Sequence, residues 1–196
     1  MEKKKKKLAV LVSATGTNLQ AIIEAIKNNK LKNTTISIVI SNKKDAHALR
    51  RAEENKINNL FLNPKDFNNN IDYDKKLVEI VKSHEIDLIV LAGYLRILTP
   101  TFINAFSNKI INIHPALLPS FGGKGMYGEK VHEAVLKSKA KETGCTVHFV
   151  TNEVDLGPII SQKKVPVLEH DTIETLSKRV LQEEHKLLIE VLQYNI

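Results

Sequence analysis

Between residues 8 and 113 the chain alternates short apolar, β-branched runs with runs whose apolar positions recur at helical spacing. Few architectures accommodate that alternation. A repeated strand-helix-strand order lays the strands parallel and packs the helices on the faces of the sheet. Residues 8–12, 35–40, 60–62, 87–92 and 109–113 read as strands. The fourth is apolar almost throughout, as a strand covered on both faces should be. Residues 18–27 place Leu19, Ile22, Ile23 and Ile26 on one helical face. Residues 45–55 read as a short amphipathic helix with Asp45 as its N-cap, and 73–84 as a helix with Leu77, Ile80 and Val81 inward. Residues 68–70 form a polar loop between them. After Lys130 the pattern changes: 131–138 is helical, 145–150 and 159–167 are strands joined by a short turn, and 172–193 is one long helix. The expected fold is α/β: a Rossmann-like, open, mostly parallel sheet flanked by helices, with an antiparallel C-terminal extension and a long final helix. No repeat or low-complexity linker divides it, so one domain is expected over 8–196, preceded by a basic leader over 1–7.

A chain of 196 residues can bury a sufficient core without disulfides or metals. Its net charge of +7 suggests a nucleic-acid binder until the charge is located. Five lysines and one glutamate lie in residues 1–7, which leaves only +3 over the other 189. Aromatic residues are few and are not interleaved with the basic ones, so no stacking platform is visible and no nucleic-acid partner is expected. The apolar run after the leader is too short for a signal peptide, and no stretch approaches the roughly 18 apolar residues of a membrane span. No membrane partner is expected either. A single cysteine, Cys145, forms no internal disulfide, and the cytoplasm is the expected compartment.

Ligands of open parallel sheets bind beyond the carboxyl ends of the strands. Three unusual segments fall there. In Ser13-Ala14-Thr15-Gly16-Thr17-Asn18, a small-residue loop enters a helix. It reads either as a helix start capped by Thr17 or Asn18, or as a phosphate seat of free amides at the positive end of a helix dipole. Leu91 to Leu98 leaves the central strand through Gly93 and stays apolar, as a core strand entering a helix or as a flat wall for a planar heterocycle. In Asn112-Ile113-His114-Pro115, strand alternation points Asn112 and His114 to the same side. An amide donor beside an imidazole suits acyl transfer, where charge develops on a carbonyl oxygen next to a group that moves protons. Downstream, Asp155 stands before a Gly-Pro bend, displayed on a loop. A carboxylate reaching His114 would hold its ring and raise its pKa. His148 reads as a half-buried strand histidine, His47, His84 and His170 as surface positions, and His132 as a helical residue after a glycine-rich loop. No Cys/His cluster has metal-ligand spacing, so no metal is expected, and no G-x-S-x-G elbow marks a serine hydrolase.

These segments occur in an order that resembles one family. Ser-Ala-Thr-Gly-Thr-Asn-Leu-Gln-Ala-Ile, Leu-Ala-Gly-Tyr-Leu-Arg-Ile-Leu, Asn-Ile-His-Pro-Ala-Leu-Leu-Pro-Ser-Phe, and Gly-Cys-Thr-Val-His-Phe-Val through Val-Asp-Leu-Gly-Pro together resemble the folate-dependent formyltransferases. The early Gly-Thr-Asn loop narrows the likeness to phosphoribosylglycinamide formyltransferases, over nearly the whole chain. The resemblance implies transfer of a formyl group from 10-formyltetrahydrofolate, as co-substrate, to the amine of phosphoribosylglycinamide in purine synthesis. It implies Asn112, His114 and Asp155 as the catalytic trio, Gly16, Thr17 and Asn18 as the phosphate cradle, and Glu184 as the ribose-binding carboxylate. It also implies Arg96, Ile97 and Leu98, with the loop 150–155, as the pterin pocket, and His148 as support for the Asp155 loop. Asn112 and His114 would stabilise the oxyanion, Leu118-Pro119 would be cis, and the protein would be a monomer or weak homodimer.

The likeness is not complete. Ala14 replaces a usual glycine and Thr17 a usual serine. Asn69 and Asn70 stand where the family often has an arginine, with Lys65 as a nearby substitute. Three other readings compete. A formyltetrahydrofolate hydrolase would use the same trio with water as acceptor, and is expected to carry an additional N-terminal domain. An initiator Met-tRNA formyltransferase is expected to carry a further C-terminal one. A non-catalytic α/β binding module would need no pairing among Asn112, His114 and Asp155.

Overall fold

The computed structural model describes residues 5–194. Seven strands are hydrogen-bonded in the order β3-β2-β1-β4-β5-β6-β7, and contacts divide the chain inside β5 into two compact units, 1–111 and 112–196. The part of the expected leader up to Lys4 lies outside the described residues.

The first unit alternates as its sequence requires: β1 (Lys6–Val12), α1 (Thr17–Lys27), β2 (Thr34–Ser41), α2 (His47–Glu54), β3 (Asn59–Phe61), α3 (Asn70–Ser83), β4 (Leu88–Leu91), α4 (Pro100–Ala105) and the start of β5 (Ile110–His114). β1 pairs parallel with both β2 and β4, and β2 pairs parallel with β3. Leu8 through Val12 are completely buried at the centre of this sheet, and Leu19 and Ile22 of α1 and Tyr73, Leu77 and Val81 of α3 are equally buried. Burial of this many aliphatic side chains, each worth roughly 1.5–3 kcal/mol, is what holds the unit together.

Local chemistry moves several boundaries. β1 begins at Lys6, so two of the leader lysines belong to the strand. Asp45 is not the cap of α2; Ala46 holds that position in extended conformation with no side-chain bond. α3 begins three residues earlier than its apolar periodicity suggests, because Asn69 caps it by accepting the Asp72 N–H at 2.9 Å. α4 is the helix that the 91–98 segment enters on its core-strand reading, although the sequence pattern does not mark its bounds; it opens with Pro100 in its first turn, where a missing N–H does no harm.

In the second unit, α5 (Glu129–Lys137) leads to β6 (Glu142–Phe149), which pairs antiparallel with β7 (Ile159–Pro166), and α6 (Ile173–Tyr194) closes the chain. Leu176, Val180, Glu184, Leu187, Leu188 and Val191 recur at helical spacing and form the buried face of α6, which packs on β6, β7 and α5. Gly144 lets the hairpin close, since a Cβ there would lie 1.9 Å from the Lys163 carbonyl oxygen. The antiparallel extension and long last helix expected from the sequence are both present. Among the described residues no helix is long and apolar enough to cross a membrane.

Candidate active site

The site is densest in the second unit, around Asp155. β5 ends in Asn112-Ile113-His114, and strand alternation sends both polar side chains toward one cluster of groups. Asn112 Nδ2 lies 3.2 Å from His148 Nε2 on β6. His148 Nε2 is 3.6 Å from Asp155 Oδ1, and His114 Nδ1 is 3.6 Å from Asp155 Oδ2. His114 is 4% and His148 1% exposed, so His148 is a core residue rather than the half-buried one expected.

Backbone carbonyls assign the imidazole tautomers. A carbonyl only accepts, so the ring nitrogen facing it carries the hydrogen. His114 Nε2 donates to Phe121 O at 2.9 Å, and His148 Nδ1 donates to Phe149 O at 2.9 Å. In their neutral forms both rings therefore turn a bare nitrogen toward the carboxylate. His148 Nε2 then accepts an Asn112 N–H, which leaves the second Asn112 N–H without a hydrogen-bond partner among the described residues.

Asp155 is also held by the Gly123 N–H, which donates to Oδ2 at 2.9 Å. Its own backbone is left-handed, with φ +58°. Gly122 must lack a side chain for this approach, because a Cβ would lie 2.4 Å from Leu118 Cδ2 and 3.2 Å from Asp155 Cβ. Burial opposes the charge of Asp155, but the His148 ring, the His114 charge and the Gly123 N–H together hold its pKa below the usual carboxylate range. His114 departs from expectation. Burial of its ring outweighs the attraction of Asp155 and the Phe121 carbonyl, and its pKa falls below the ordinary 6.5 instead of rising. Near neutral pH the site thus holds an ionised Asp155 carboxylate beside a neutral His114 ring.

Glu184 lies on the buried face of α6, 7% exposed. Burial first, then the fields of Glu184 and Glu183, push the Cys145 thiol up to about 12, so it is an unreactive core group. The Leu118-Pro119 bond is cis.

In the first unit, Gly16 adopts φ +70° as the cap of α1, and neither Thr17 nor Asn18 is the cap. A Cβ at Gly16 would sit 2.6 Å from the Ala48 Cβ, which is why glycine stands there. The α1 first turn contains no acidic residue, so its positive end is not neutralised from within. Ser13 Oγ donates to Asn42 Oδ1 at 2.6 Å and accepts the Leu95 N–H at 2.8 Å, which ties the loop after β1 to the segment after β4. In that segment the Arg96 guanidinium lies 4.4 Å above the Tyr73 ring and donates to Asn70 Oδ1 at 2.8 Å. Asn70, in the stretch where the resemblance leads one to expect an arginine, therefore engages Arg96. Ile97 is 53% exposed while Leu98 is buried. Asp74 pins the same segment by accepting from the Thr99 N–H and hydroxyl at 2.6 and 2.7 Å, a contact that no sequence pattern announced.

Among the described residues no group of three or more His, Cys, Asp or Glu is placed to hold a metal ion. Residues 6–192 match the formyl transferase family model. The phosphoribosylglycinamide formyltransferase of Haemophilus influenzae is 43% identical over 182 residues, covering 93% of this chain and 83% of that protein. The chloroplastic enzyme of the same name from Arabidopsis thaliana is 44% identical over 192 residues, 97% of this chain but only 65% of that longer protein. The crystal structure of glycinamide ribonucleotide transformylase 1 from Symbiobacterium toebii superposes with a TM-score of 0.91 at 40% identity, covering 96% of this chain and 86% of that one. Fold, motif order and family model agree, and the chain belongs to the formyl transferase family, among its phosphoribosylglycinamide formyltransferase members.

Proposed function

We propose that the chain transfers the formyl group of 10-formyltetrahydrofolate to the amine of phosphoribosylglycinamide, a step of de novo purine synthesis. The observation that carries this reading is the Asp155 carboxylate set between two imidazoles, with the Asn112 amide beside them. The amine nitrogen bonds to the formyl carbon as the carbonyl electron pair moves onto oxygen. The uncommitted N–H of Asn112 donates to that oxyanion. His114 has its one ring N–H engaged by the Phe121 carbonyl, so its part is to share a proton with Asp155 through Nδ1. Asp155 takes the proton from the attacking nitrogen and returns it to the folate nitrogen as the carbon–nitrogen bond breaks. The products are the formylated amide and tetrahydrofolate.

The remaining assignments follow the family likeness. Gly16, Thr17 and Asn18 hold the substrate phosphate at the start of α1, and Glu184 binds the ribose. Arg96, Ile97 and Leu98 line the pterin pocket, and His148 supports Asp155. Binding of the phosphate brings the amine to the formyl carbon, and proximity then supplies much of the rate. Residues 8–196 act as one formyltransferase domain, as a monomer or weak homodimer in the cytoplasm, with small-molecule partners only. The plant relative's name, by contrast, carries a chloroplast label.

Asp155→Asn tests the assignment. It keeps the shape of the side chain but cannot take the proton, and turnover is expected to fall by about 10²–10⁴-fold with the thermal transition retained. Near-normal turnover by folded Asp155→Asn would remove Asp155 from the chemistry.

A further inference from the structure

Between His114 and α5 the backbone runs without a ladder or helix, and it carries the two main-chain groups that orient the site. Phe121 O receives His114 Nε2–H, and Gly123 N–H holds Asp155 Oδ2. What fixes this turn is a cross-strand pair on the hairpin. Thr146 on β6 lies opposite Gln162 on β7 in the ladder. The Thr146 hydroxyl donates to Ala116 O at 2.6 Å and accepts the Leu118 N–H at 3.1 Å. Gln162 Nε2 donates to Leu118 O at 2.9 Å and to the Thr146 hydroxyl at 2.8 Å. One donor and two acceptor sites exhaust what a hydroxyl can do, so Thr146, which is fully buried, is saturated.

We propose that Thr146 and Gln162 are positioning residues for formyl transfer, a clamp that sets where Phe121 O and Gly123 N lie and so fixes the His114 tautomer and the Asp155 carboxylate. This rests on the catalytic reading of Asn112, His114 and Asp155. Three hydrogen bonds fasten residues 116 and 118, a fourth joins Gln162 to Thr146, and only two residues separate Leu118 from Phe121, whose carbonyl reads His114. A 2.9 Å bond does not survive a displacement of an ångström. With Phe121 O withdrawn, the proton of neutral His114 can sit on either nitrogen, and the bare nitrogen no longer reliably faces Asp155.

The test uses the full chain with Thr146→Val, Thr146→Ser, Gln162→Met and the Val/Met double variant, with Asp155→Asn alongside. Gln162 lies on the exposed edge strand, so its variant folds even where a change at buried Thr146 does not. Thr146→Val and Gln162→Met are expected to lower kcat by about tenfold or more while KM for both substrates stays within about twofold. Thr146→Ser restores most of the turnover, and the double variant is little worse than Thr146→Val alone. Nitrogen NMR of labelled histidine is expected to report His114 protonated at Nε2 in the parent and a mixture of tautomers in Gln162→Met. Wild-type kcat in Gln162→Met, a loss in Thr146→Ser equal to that in Thr146→Val, or an unchanged His114 ring in a slow variant each overturns the clamp. An active Asp155→Asn removes the catalytic reading instead. An inert Asp155→Asn beside a fully active Gln162→Met removes only the clamp.

Discussion

His114 and Asp155 show how burial and pairing compete at a single proton. The carboxylate would favour a charged ring, but a ring that is 4% exposed loses more hydration than a partner 3.6 Å away returns. Since folding depresses the His114 pKa, the unfolded chain takes up more protons just below pH 6.5. Stability therefore rises with pH through that window and falls as the solution is acidified through it. His132, lowered by burial and then by the His114 charge, acts in the same direction. Urea titrations from pH 7 to pH 5 are expected to show this loss, and His114→Gln is expected to show a shallower one. A steeper loss in His114→Gln would mean that the ring is charged in the native state near neutrality. Asn112 and His114 were legible because strand alternation alone puts them on one side. The Phe121 and Gly123 contacts were not legible, because they are made by main-chain atoms that every residue possesses.

Elements were legible where apolar spacing is regular and illegible where one polar side chain decides. The long α6 and the parallel strands of the first unit follow directly from periodicity. The start of α3 was missed because an asparagine cap overrides the first apolar residue, and Asp45 misled because capping needs geometry as well as residue type. Glycines mark two tight joints. Gly16→Ala pushes a methyl into Ala48, and is expected to lower unfolding free energy by about 1–3 kcal/mol and to raise KM for the phosphorylated acceptor. An unchanged KM together with unchanged stability would show that the loop can open without strain. Gly144→Ala places a methyl on the Lys163 carbonyl, a backbone atom that cannot yield without breaking the β6–β7 ladder. Loss of more than about 3 kcal/mol is expected by denaturant titration, at the upper end of single substitutions.

At the scale of the whole chain, the alternation of strands and helices specified the sheet, and the unusual loops follow the carboxyl ends of β1, β4 and β5, where open sheets bind ligands. Composition was the weaker guide. A net charge of +7 taken whole suggests polyanions, but most of it lies in residues 1–7, and the chain belongs to the formyl transferase family. The acceptor is the central claim, because a hydrolase would use the same three side chains with water. Purified protein incubated with 10-formyltetrahydrofolate, with and without phosphoribosylglycinamide, and followed by absorbance together with the formylated product, decides between them. Tetrahydrofolate formation that requires the amine and matches formylated product one for one is the expected result, and formyl loss at the same rate without the amine would contradict it.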